Sequence, residues 1–216
     1  MLLNYPVYTF TYSQFKSSKL PSINIPFIIS IILNDQKYEF LIKLNNSNKI
    51  LVMGSGAYDP DIISPPVFQR HAWINEFKEN IIYYNDPTLY LGNIRIGWGV
   101  GNTEEHYLIN IFNLLDIIRD KANIKKDKIL FYGSSAGGFM SLLLSSMMKG
   151  STALVNNPQT TIYKFWESHY CTLLTHCFPG MNKTDVLEKY ILRLDAYEFV
   201  SKNNIKNRII YLQNIS

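Results

Sequence analysis

Cysteine is scarce in this sequence, which has only Cys171 and Cys177 among its 216 residues. Two cysteines are too few for the disulfide framework of a small secreted protein. Together with His176 they offer three metal-ligating side chains, but a structural metal site takes four and no fourth stands at a suitable spacing. The sequence therefore predicts two ordinary cysteines and no metal.

An excess of one charge and long apolar runs are also lacking. The 21 Lys and Arg against 17 Asp and Glu leave a formal net charge of +4, and the densest basic stretch, 125–128, is short. This argues against a nucleic-acid partner. No basic and apolar targeting pattern opens the chain, and the apolar run 27–33 is far below the ~20 residues that cross a bilayer. We expect a cytoplasmic protein without membrane insertion.

Apolar and aromatic residues are abundant. Hydrophobic residues make up 47% of the chain, with 15 Tyr and 12 Phe, whereas a disordered chain would have far fewer aromatic residues. A length of 216 residues suits one domain with its own core. We therefore expect a single domain over residues 1–216.

Strand-like and helix-like segments alternate along this chain. Two apolar runs flank a turn at 34–37 and predict a β-hairpin, and further strands and two helices are predicted from apolar periodicity. The hairpin strands are predicted at 27–33 and 38–44, the other strands at 49–53, 80–84, 128–132, 151–155 and 208–212, and the helices at 102–121 and 139–148. This order predicts an α/β fold: a mainly parallel twisted sheet flanked by helices, with an N-terminal β-hairpin.

Two helical regions carry more detailed predictions. In the helix 102–121, Asn102 is predicted as the N-cap and Glu105 as its capping-box partner. His106, in the first turn of that helix, is expected to be exposed to solvent. The mixed, aromatic region 159–200 predicts helical pieces that form a cap over the site.

A glycine-rich turn, residues 133–138, stands between a predicted strand and a predicted helix. Gly133, Ser135 and Gly137 match the G-x-S-x-G pattern of a nucleophile elbow, which exposes a serine at a tight strand-to-helix corner. A serine hydroxyl needs such positioning, a base, and donors for the oxyanion that forms. The turn therefore predicts Ser135 as the nucleophile and the N–H of Ala136 as one oxyanion donor.

Other interpretations of this turn are weaker. One alternative is that the turn binds an anion at the helix N-terminus and has no catalytic role. The best-known turn of that kind, the phosphate loop, ends in Gly-Lys-Ser/Thr, and this turn has no lysine. Ser134 is the other candidate nucleophile, but it lacks the symmetric flanking glycines.

A second glycine turn, Gly54-Ser55-Gly56, follows the predicted strand 49–53. In a hydrolase of this kind the loop after an earlier strand gives the second oxyanion donor, so we expect the N–H of Ala57 to serve, with Gly56 forming the turn. A dinucleotide fingerprint would need a third glycine where Asp59 stands, and a helix that is not predicted. No cofactor is expected.

Two other residues are candidates for substrate binding. Arg70 is predicted to contact an anionic substrate, with a salt-bridged structural arginine as the alternative. Trp98, between two glycines, is predicted to stack on a sugar, with packing of its own loop as the alternative.

On these residues the chain resembles the α/β-hydrolase superfamily. More narrowly, it is similar to small bacterial hydrolase-like proteins encoded beside glycosyltransferases in surface-polysaccharide clusters. The resembling stretches are Gly56-Ala57, 65–70, 86–89, Gly97-Trp98, the elbow and 157–160. The resemblance implies ester or acyl chemistry, on a small-molecule or glycan ester such as a sugar acetyl group, and allows for a protein partner.

The base and acid of a serine hydrolase are not evident. In this fold an acid and then a histidine follow the serine, but the only histidines after Ser135 are His169 and His176, in the predicted cap region. We therefore expect the sequence to be C-terminally incomplete. The alternatives are His176 acting as the base with Asp185 or Asp195, or a non-catalytic binding or assembly protein in polysaccharide biosynthesis. The leading hypothesis is a serine esterase or acyltransferase.

Overall fold

The computed structural model describes residues 5–22, 24–204 and 206–214, which form an eight-stranded sheet with helices. The strands are β1 (Val7–Thr11), β2 (Phe27–Leu33), β3 (Gln36–Lys43), β4 (Ile50–Met53), β5 (Asn80–Tyr84), β6 (Ile129–Ser135), β7 (Thr152–Pro158) and β8 (Arg208–Leu212). The α-helices are α1 (Tyr12–Ser17), α2 (Tyr107–Lys121), α3 (Ala136–Met147), α4 (Glu167–Cys177), α5 (Lys183–Leu194) and α6 (Ala196–Asn203). Short 3₁₀ helices lie at His71–Asn75, Pro87–Tyr90, Lys126–Lys128 and Ile162–Lys164.

The sheet has the strand order β1-β2-β3-β5-β4-β6-β7-β8. Strands β5, β4, β6, β7 and β8 run parallel to one another, while β3 is antiparallel to both of its neighbours. The predicted α/β fold with a mainly parallel sheet is therefore confirmed. Because parallel strands end at one edge, the loops after β4, β5, β6 and β7 meet there, which is where open α/β sheets bind ligands.

The predicted hairpin is formed by β2 and β3. Asn34 and Asp35 connect the two strands, and both have positive φ, 49° and 59°, as in a two-residue type I′ turn. Strand β1 was not predicted from the sequence; it lies outside the hairpin and pairs in parallel with β2. Its side chains alternate between exposed and half-buried, so its hydrophobic pattern is weak.

Helix α2 begins later than predicted. Its N-cap is His106, and that side chain makes no capping hydrogen bond. Asn102 Oδ1 instead accepts the N–H groups of Glu104 and Glu105, each at 2.9 Å, and so caps the turn before the helix. A guanidinium nitrogen of Arg193 donates to the Glu105 carbonyl at 2.9 Å and holds this turn against α5. The prediction of Asn102 as the helix N-cap is therefore wrong.

His106 is buried, against the expectation that it would be exposed. Only 8% of its surface is accessible, its ring meets Phe199 edge-on, and its Nε2 has no hydrogen-bond partner. Burial, together with the charge of Arg193, lowers the pKa of His106 to about 3. The imidazole is therefore neutral at physiological pH.

The main core lies on the face of the sheet covered by α2 and α3. Apolar side chains of α2, α3, β6 and β7 are fully buried there, and α6 packs on α3. A smaller cluster, which includes Phe68, Ile74 and Tyr83, covers part of the opposite face. Among the described residues, no helix is both long and apolar enough to span a membrane.

Candidate active site

Ser135 occupies a strained corner between β6 and α3. Its backbone has φ 53° and ψ −124°, and α3 begins at the next residue, Ala136. A positive φ is uncommon for a residue with a side chain, and such strain concentrates at functional sites. The pairing of β6 with β7 also shifts here, from Ser134 opposite Asn156 to Ser135 opposite Pro158. A strand-to-helix corner of this kind is the geometry of a nucleophile elbow.

The glycines of the turn are required by close approach of backbone. A Cβ atom placed on Gly133 would lie 2.1 Å from the Gly137 carbonyl oxygen, and one placed on Gly137 would lie 2.7 Å from the Gly54 oxygen. Gly138, which was not predicted as a site residue, is also constrained, since its Cβ would lie 2.8 Å from Pro158 Cβ. The doubled glycine at 137–138 was the signal for this third contact.

The loop after β4 passes beside the elbow. A Cβ atom on Gly56 would lie 3.9 Å from Ser135 Cβ. Ser55 is buried and anchors the loop, donating through Oγ to the Val67 carbonyl at 3.0 Å. The second predicted glycine turn therefore lies next to Ser135.

Gln69 holds this loop through both ends of its amide. Its Oε1 accepts the Gly56 N–H at 2.8 Å, and its Nε2 donates to the Ala57 carbonyl at 2.6 Å. The Gly56 N–H is thus engaged, whereas the Ala57 N–H has no acceptor among the described residues. Sequence reasoning did not select Gln69, although it stands in the stretch 65–70 on which the resemblance rested.

Ala136 offers a second backbone donor. It is the first residue of α3, where N–H groups have no acceptor within the helix and where the helix dipole favours negative charge. The predicted oxyanion donors, Ala57 and Ala136, thus follow directly after two glycine turns that lie against each other. Both residues therefore belong to segments that adjoin Ser135.

Trp98 lies beneath the site. Its side chain is fully buried, and its Nε1 donates to Gln159 Oε1 at 2.6 Å. The Gln159 N–H in turn donates to the Ser135 carbonyl at 3.2 Å. The expectation that Trp98 stacks on a sugar is therefore wrong, because neither face of its ring is accessible. The indole instead holds Gln159 beside the nucleophile.

The Trp98 loop is anchored by a buried acid. Asp86 Oδ2 accepts the Gly99 N–H at 2.8 Å, and its other oxygen accepts the Thr88 N–H at 2.9 Å. Burial raises the pKa of Asp86, and these donors oppose the rise. Its hydrogen bonds come from the backbone of Gly99 and from Thr88, which makes Asp86 a support of the loop.

Arg70 lies on the other side of the elbow. Its Nη2 donates to Ser134 Oγ at 2.7 Å, so the hydroxyl of the alternative nucleophile is already engaged. Arg70 also lines a cavity of about 400 Å³ together with Gln69 and His71. The candidate substrate-binding arginine thus contacts the elbow directly, through Ser134.

The described residues do not bring a histidine base to Ser135, whose Oγ makes no hydrogen bond within them. The ring of His176 lies against Gly92, where a Cβ would come within 2.2 Å of its Nδ1. His169 stacks on Phe165 and Trp166.

The carboxylates considered as partners for His176 are occupied elsewhere. Asp195 caps α6 by accepting the N–H groups of Tyr197 and Glu198. Asp185 accepts from the Asn182 amide at 2.8 Å. The improvised pair of His176 with either acid is therefore not formed in this structure.

Cys171 is exposed and Cys177 is buried, and both are free thiols. Burial raises the pKa of Cys177. Across the described ranges, no three His, Cys, Asp or Glu side chains come together as metal ligands.

No protein-family model and no curated protein matches this sequence. Among solved structures, the chain is similar to the capsule O-acetyltransferase of Neisseria meningitidis serogroup A, with a TM-score of 0.63, 17% identity and 89% of each chain covered. A mutant of that enzyme in complex with CoA gives a TM-score of 0.62 at the same identity and coverage. A glycosylation-associated protein complex from Streptococcus agalactiae gives 0.58 at 13% identity, over 86% of this chain and 42% of that one.

This chain has an α/β-hydrolase-like fold. The sequence identities are low, so the similarity is one of fold. In an α/β-hydrolase-like fold, a sharp turn from a strand into a helix carries the nucleophile, and the turn after an earlier strand contributes an oxyanion donor. Ser135 and Ala57 occupy those two turns.

Proposed function

We propose that the protein is a serine hydrolase or acyltransferase that uses Ser135 as its nucleophile. The observation that carries this proposal is the backbone of Ser135, with φ 53° and ψ −124° at a strand-to-helix corner. Such strain persists only where the surrounding structure enforces it. Here the close contacts of Gly133, Gly137 and Gly138 enforce it.

The reaction begins with attack of Ser135 Oγ on the carbonyl carbon of an ester or thioester. The Oγ–C bond forms, the hydroxyl proton passes to a general base, and the carbonyl oxygen becomes an oxyanion that the N–H groups of Ala57 and Ala136 stabilise. Collapse expels the alcohol or thiol, which takes up the proton and leaves an acyl-serine. Water or a sugar hydroxyl then accepts the acyl group and restores Ser135.

The substrate that we propose is an acylated cell-surface glycan, or a glycan that receives an acyl group. One similar fold belongs to a capsule O-acetyltransferase, and a mutant of that enzyme was solved in complex with CoA. Acetyl-CoA is therefore the first acyl donor to test, with acetylated oligosaccharide as the matching hydrolytic substrate. The cytoplasmic location remains a prediction, for which fractionation of the source cells is the test.

The test compares turnover of p-nitrophenyl acetate and acetyl-CoA by the full-length protein and two variants. Ser135→Ala is expected to lower kcat by at least about a thousandfold, since a serine enzyme without its nucleophile retains only binding and oxyanion stabilisation. Ser201→Ala, an exposed serine on α6, is the matched control and is expected to act like the wild type. Equal turnover by Ser135→Ala and the wild type would contradict the proposal.

A second candidate function is that of a non-catalytic binding or assembly partner in glycan synthesis. It is favoured by the free Ser135 hydroxyl, which makes no hydrogen bond to a histidine of the described residues. One similar fold belongs to a glycosylation-associated protein complex. Under this alternative, Ser135→Ala preserves the biological role in cells, whereas loss of that role in a folded Ser135→Ala protein would exclude it.

A further inference from the structure

The guanidinium of Arg70 lies at the edge of the candidate site and uses only part of its hydrogen-bonding capacity. Its Nη2 donates to Ser134 Oγ at 2.7 Å, but its Nη1 is shielded from solvent and has no hydrogen-bond acceptor. Among the described residues, no Asp or Glu lies within ion-pair distance of this group. Buried donors in native proteins are nearly always satisfied, so this exception requires an explanation.

The guanidinium is held in place from several sides. Its carbon lies 5.8 Å from the ring centre of Trp73 and 5.6 Å from that of Tyr132. The Arg70 backbone has a positive φ of 64°, and its carbonyl accepts the Tyr83 hydroxyl at 2.9 Å. Aromatic faces attract the positive charge, but they are weak acceptors for an N–H and leave Nη1 without a strong partner.

The cavity beside Arg70 adjoins the oxyanion loop. It has a volume of about 400 Å³, and its lining is mainly apolar, from side chains that include Ile62, Ile63 and Phe68. Gln69, which holds the Gly56 N–H and the Ala57 carbonyl, also lines it. A ligand in this cavity would therefore contact Gln69, the side chain that holds the loop with the proposed oxyanion donor Ala57.

We propose that Arg70, which lines this cavity and has no acidic partner among the described residues, binds an anionic group, a carboxylate or a phosphate, through its guanidinium. A guanidinium presents in-plane donors that match the oxygens of both groups. The apolar lining would hold the body of the same ligand. The substrate class that follows rests on the proposed function. It is an ester whose acyl or alcohol part carries an anionic group close to the reacting carbonyl.

Anion binding is tested without catalysis by ¹⁹F NMR of protein labelled with 5-fluorotryptophan. The chain has three tryptophans, of which Trp73 lies against Arg70. The Trp73 resonance is assigned as the one that is missing from the spectrum of Trp73→Phe protein. Titration with sodium phosphate or sodium acetate, at an ionic strength matched with sodium chloride, is expected to shift the Trp73 resonance and to saturate. The two titrations distinguish a phosphate ligand from a carboxylate ligand.

Variants decide whether Arg70 is responsible. Arg70→Gln is expected to abolish the saturable shift. Arg70→Lys keeps the positive charge but loses the planar set of N–H donors, and it is expected to weaken binding at least tenfold. Arg95→Gln is the matched control, because Arg95 is an exposed arginine already paired with Asp59 and Asp61. An unshifted Trp73 resonance in the wild type, or an equal shift in folded Arg70→Gln or Arg70→Lys protein, would overturn the proposal.

Turnover gives a second, separate test. Arg70→Gln is expected to raise KM for mono-p-nitrophenyl succinate at least tenfold more than KM for p-nitrophenyl acetate, since only the first ester carries a carboxylate. Equal effects on both esters would contradict selection by Arg70. Absence of turnover of either ester by the wild type would count against the proposed function, and the ¹⁹F titration would still decide whether Arg70 binds anions.

Discussion

Two glutamines fix the backbone around Ser135, Gln69 through its side-chain amide and Gln159 through its main-chain N–H. Gln69 accepts the Gly56 N–H and donates to the Ala57 carbonyl, while the Gln159 N–H donates to the Ser135 carbonyl. The Gln159 side chain is itself held by Trp98. The side-chain amide of Gln69 can hold two backbone groups because it carries a donor and an acceptor on one rigid group. The two glutamines therefore act on backbone position.

Gln69→Ala should impair catalysis more than substrate binding. Without the amide, the Gly56 N–H and Ala57 carbonyl lose their partners, and the Ala57 N–H moves from its place beside Ser135. Displacing an oxyanion donor weakens only interactions made in the transition state. We expect kcat for p-nitrophenyl acetate to fall roughly ten- to a hundredfold, with KM nearly unchanged, in steady-state kinetics.

Thr172→Ala on α4 provides a comparison, because its exposed hydroxyl contacts only the Ser168 carbonyl and it should act like the wild type. A Gln69→Ala enzyme with unchanged kcat would show that Gln69 does not position the oxyanion loop.

At the scale of the elements, the β6–α3 turn is tightly constrained. Its glycines allow the first turn of α3 to pack against the loop after β4 and against β7. This packing was predictable from the sequence in outline, because a G-x-S-x-G turn between an apolar strand and an apolar helix is a local signal.

Gly133→Ala should destabilise the fold strongly, since its Cβ would lie 2.1 Å from the Gly137 carbonyl oxygen and the backbone would have to shift. We expect the free energy of unfolding to fall by roughly 3 kcal/mol or more, as in severe overpacking. Gly56→Ala is the matched control, because its Cβ would meet only ordinary contacts, the nearest at 3.5 Å. Urea denaturation measures both, and equal stabilities of the two variants would contradict this account.

Elements set by local pattern were predicted well, and those set by distant contacts were not. The strands at 80–84 and 208–212 match β5 and β8 residue for residue. The start of α2 was predicted five residues early, because the Asn102 turn mimics a helix cap and is held by Arg193, 91 residues away. Nothing near Asn102 in the sequence signals that contact.

The same limit applies to the candidate site. Ser135 and its two glycine turns were predictable because their signals lie within a few neighbouring residues. The contact of Arg70 with Ser134 spans 64 residues, and that of Trp98 with Gln159 spans 61. Only the folded sheet brings these pairs together, so the burial of Trp98 and the supporting roles of Gln69 and Gln159 were not predictable.

At the scale of the whole molecule, burial of His106 makes stability depend on pH. Its pKa is about 3 in the folded protein against an ordinary value of 6.5, because burial, with a contribution from Arg193, disfavours the charged ring. The unfolded chain therefore binds a proton that the folded protein does not as the pH falls below 6.5. This contribution to stability is fully present above pH 6.5 and is lost between about pH 6.5 and pH 3.

His106→Leu should flatten this dependence. Each pH unit below 6.5 costs the wild type up to roughly 1.4 kcal/mol, so lowering the pH to 4 should destabilise it by roughly 3 kcal/mol more than the variant. Urea unfolding monitored by circular dichroism at several pH values measures the difference. Parallel pH profiles of the two proteins would show that His106 does not titrate on unfolding in this range.

The fold as a whole brings the turns after β4 and β6 to one edge of the sheet, and the central claim is that Ser135 reacts there as a nucleophile. The most direct test is to treat the folded full-length protein with a fluorophosphonate probe and to locate the modified residue by peptide mass spectrometry. We predict a single adduct on Ser135 that is lost in Ser135→Ala. Absence of an adduct on the folded protein, or an adduct on Ser134, would contradict the account.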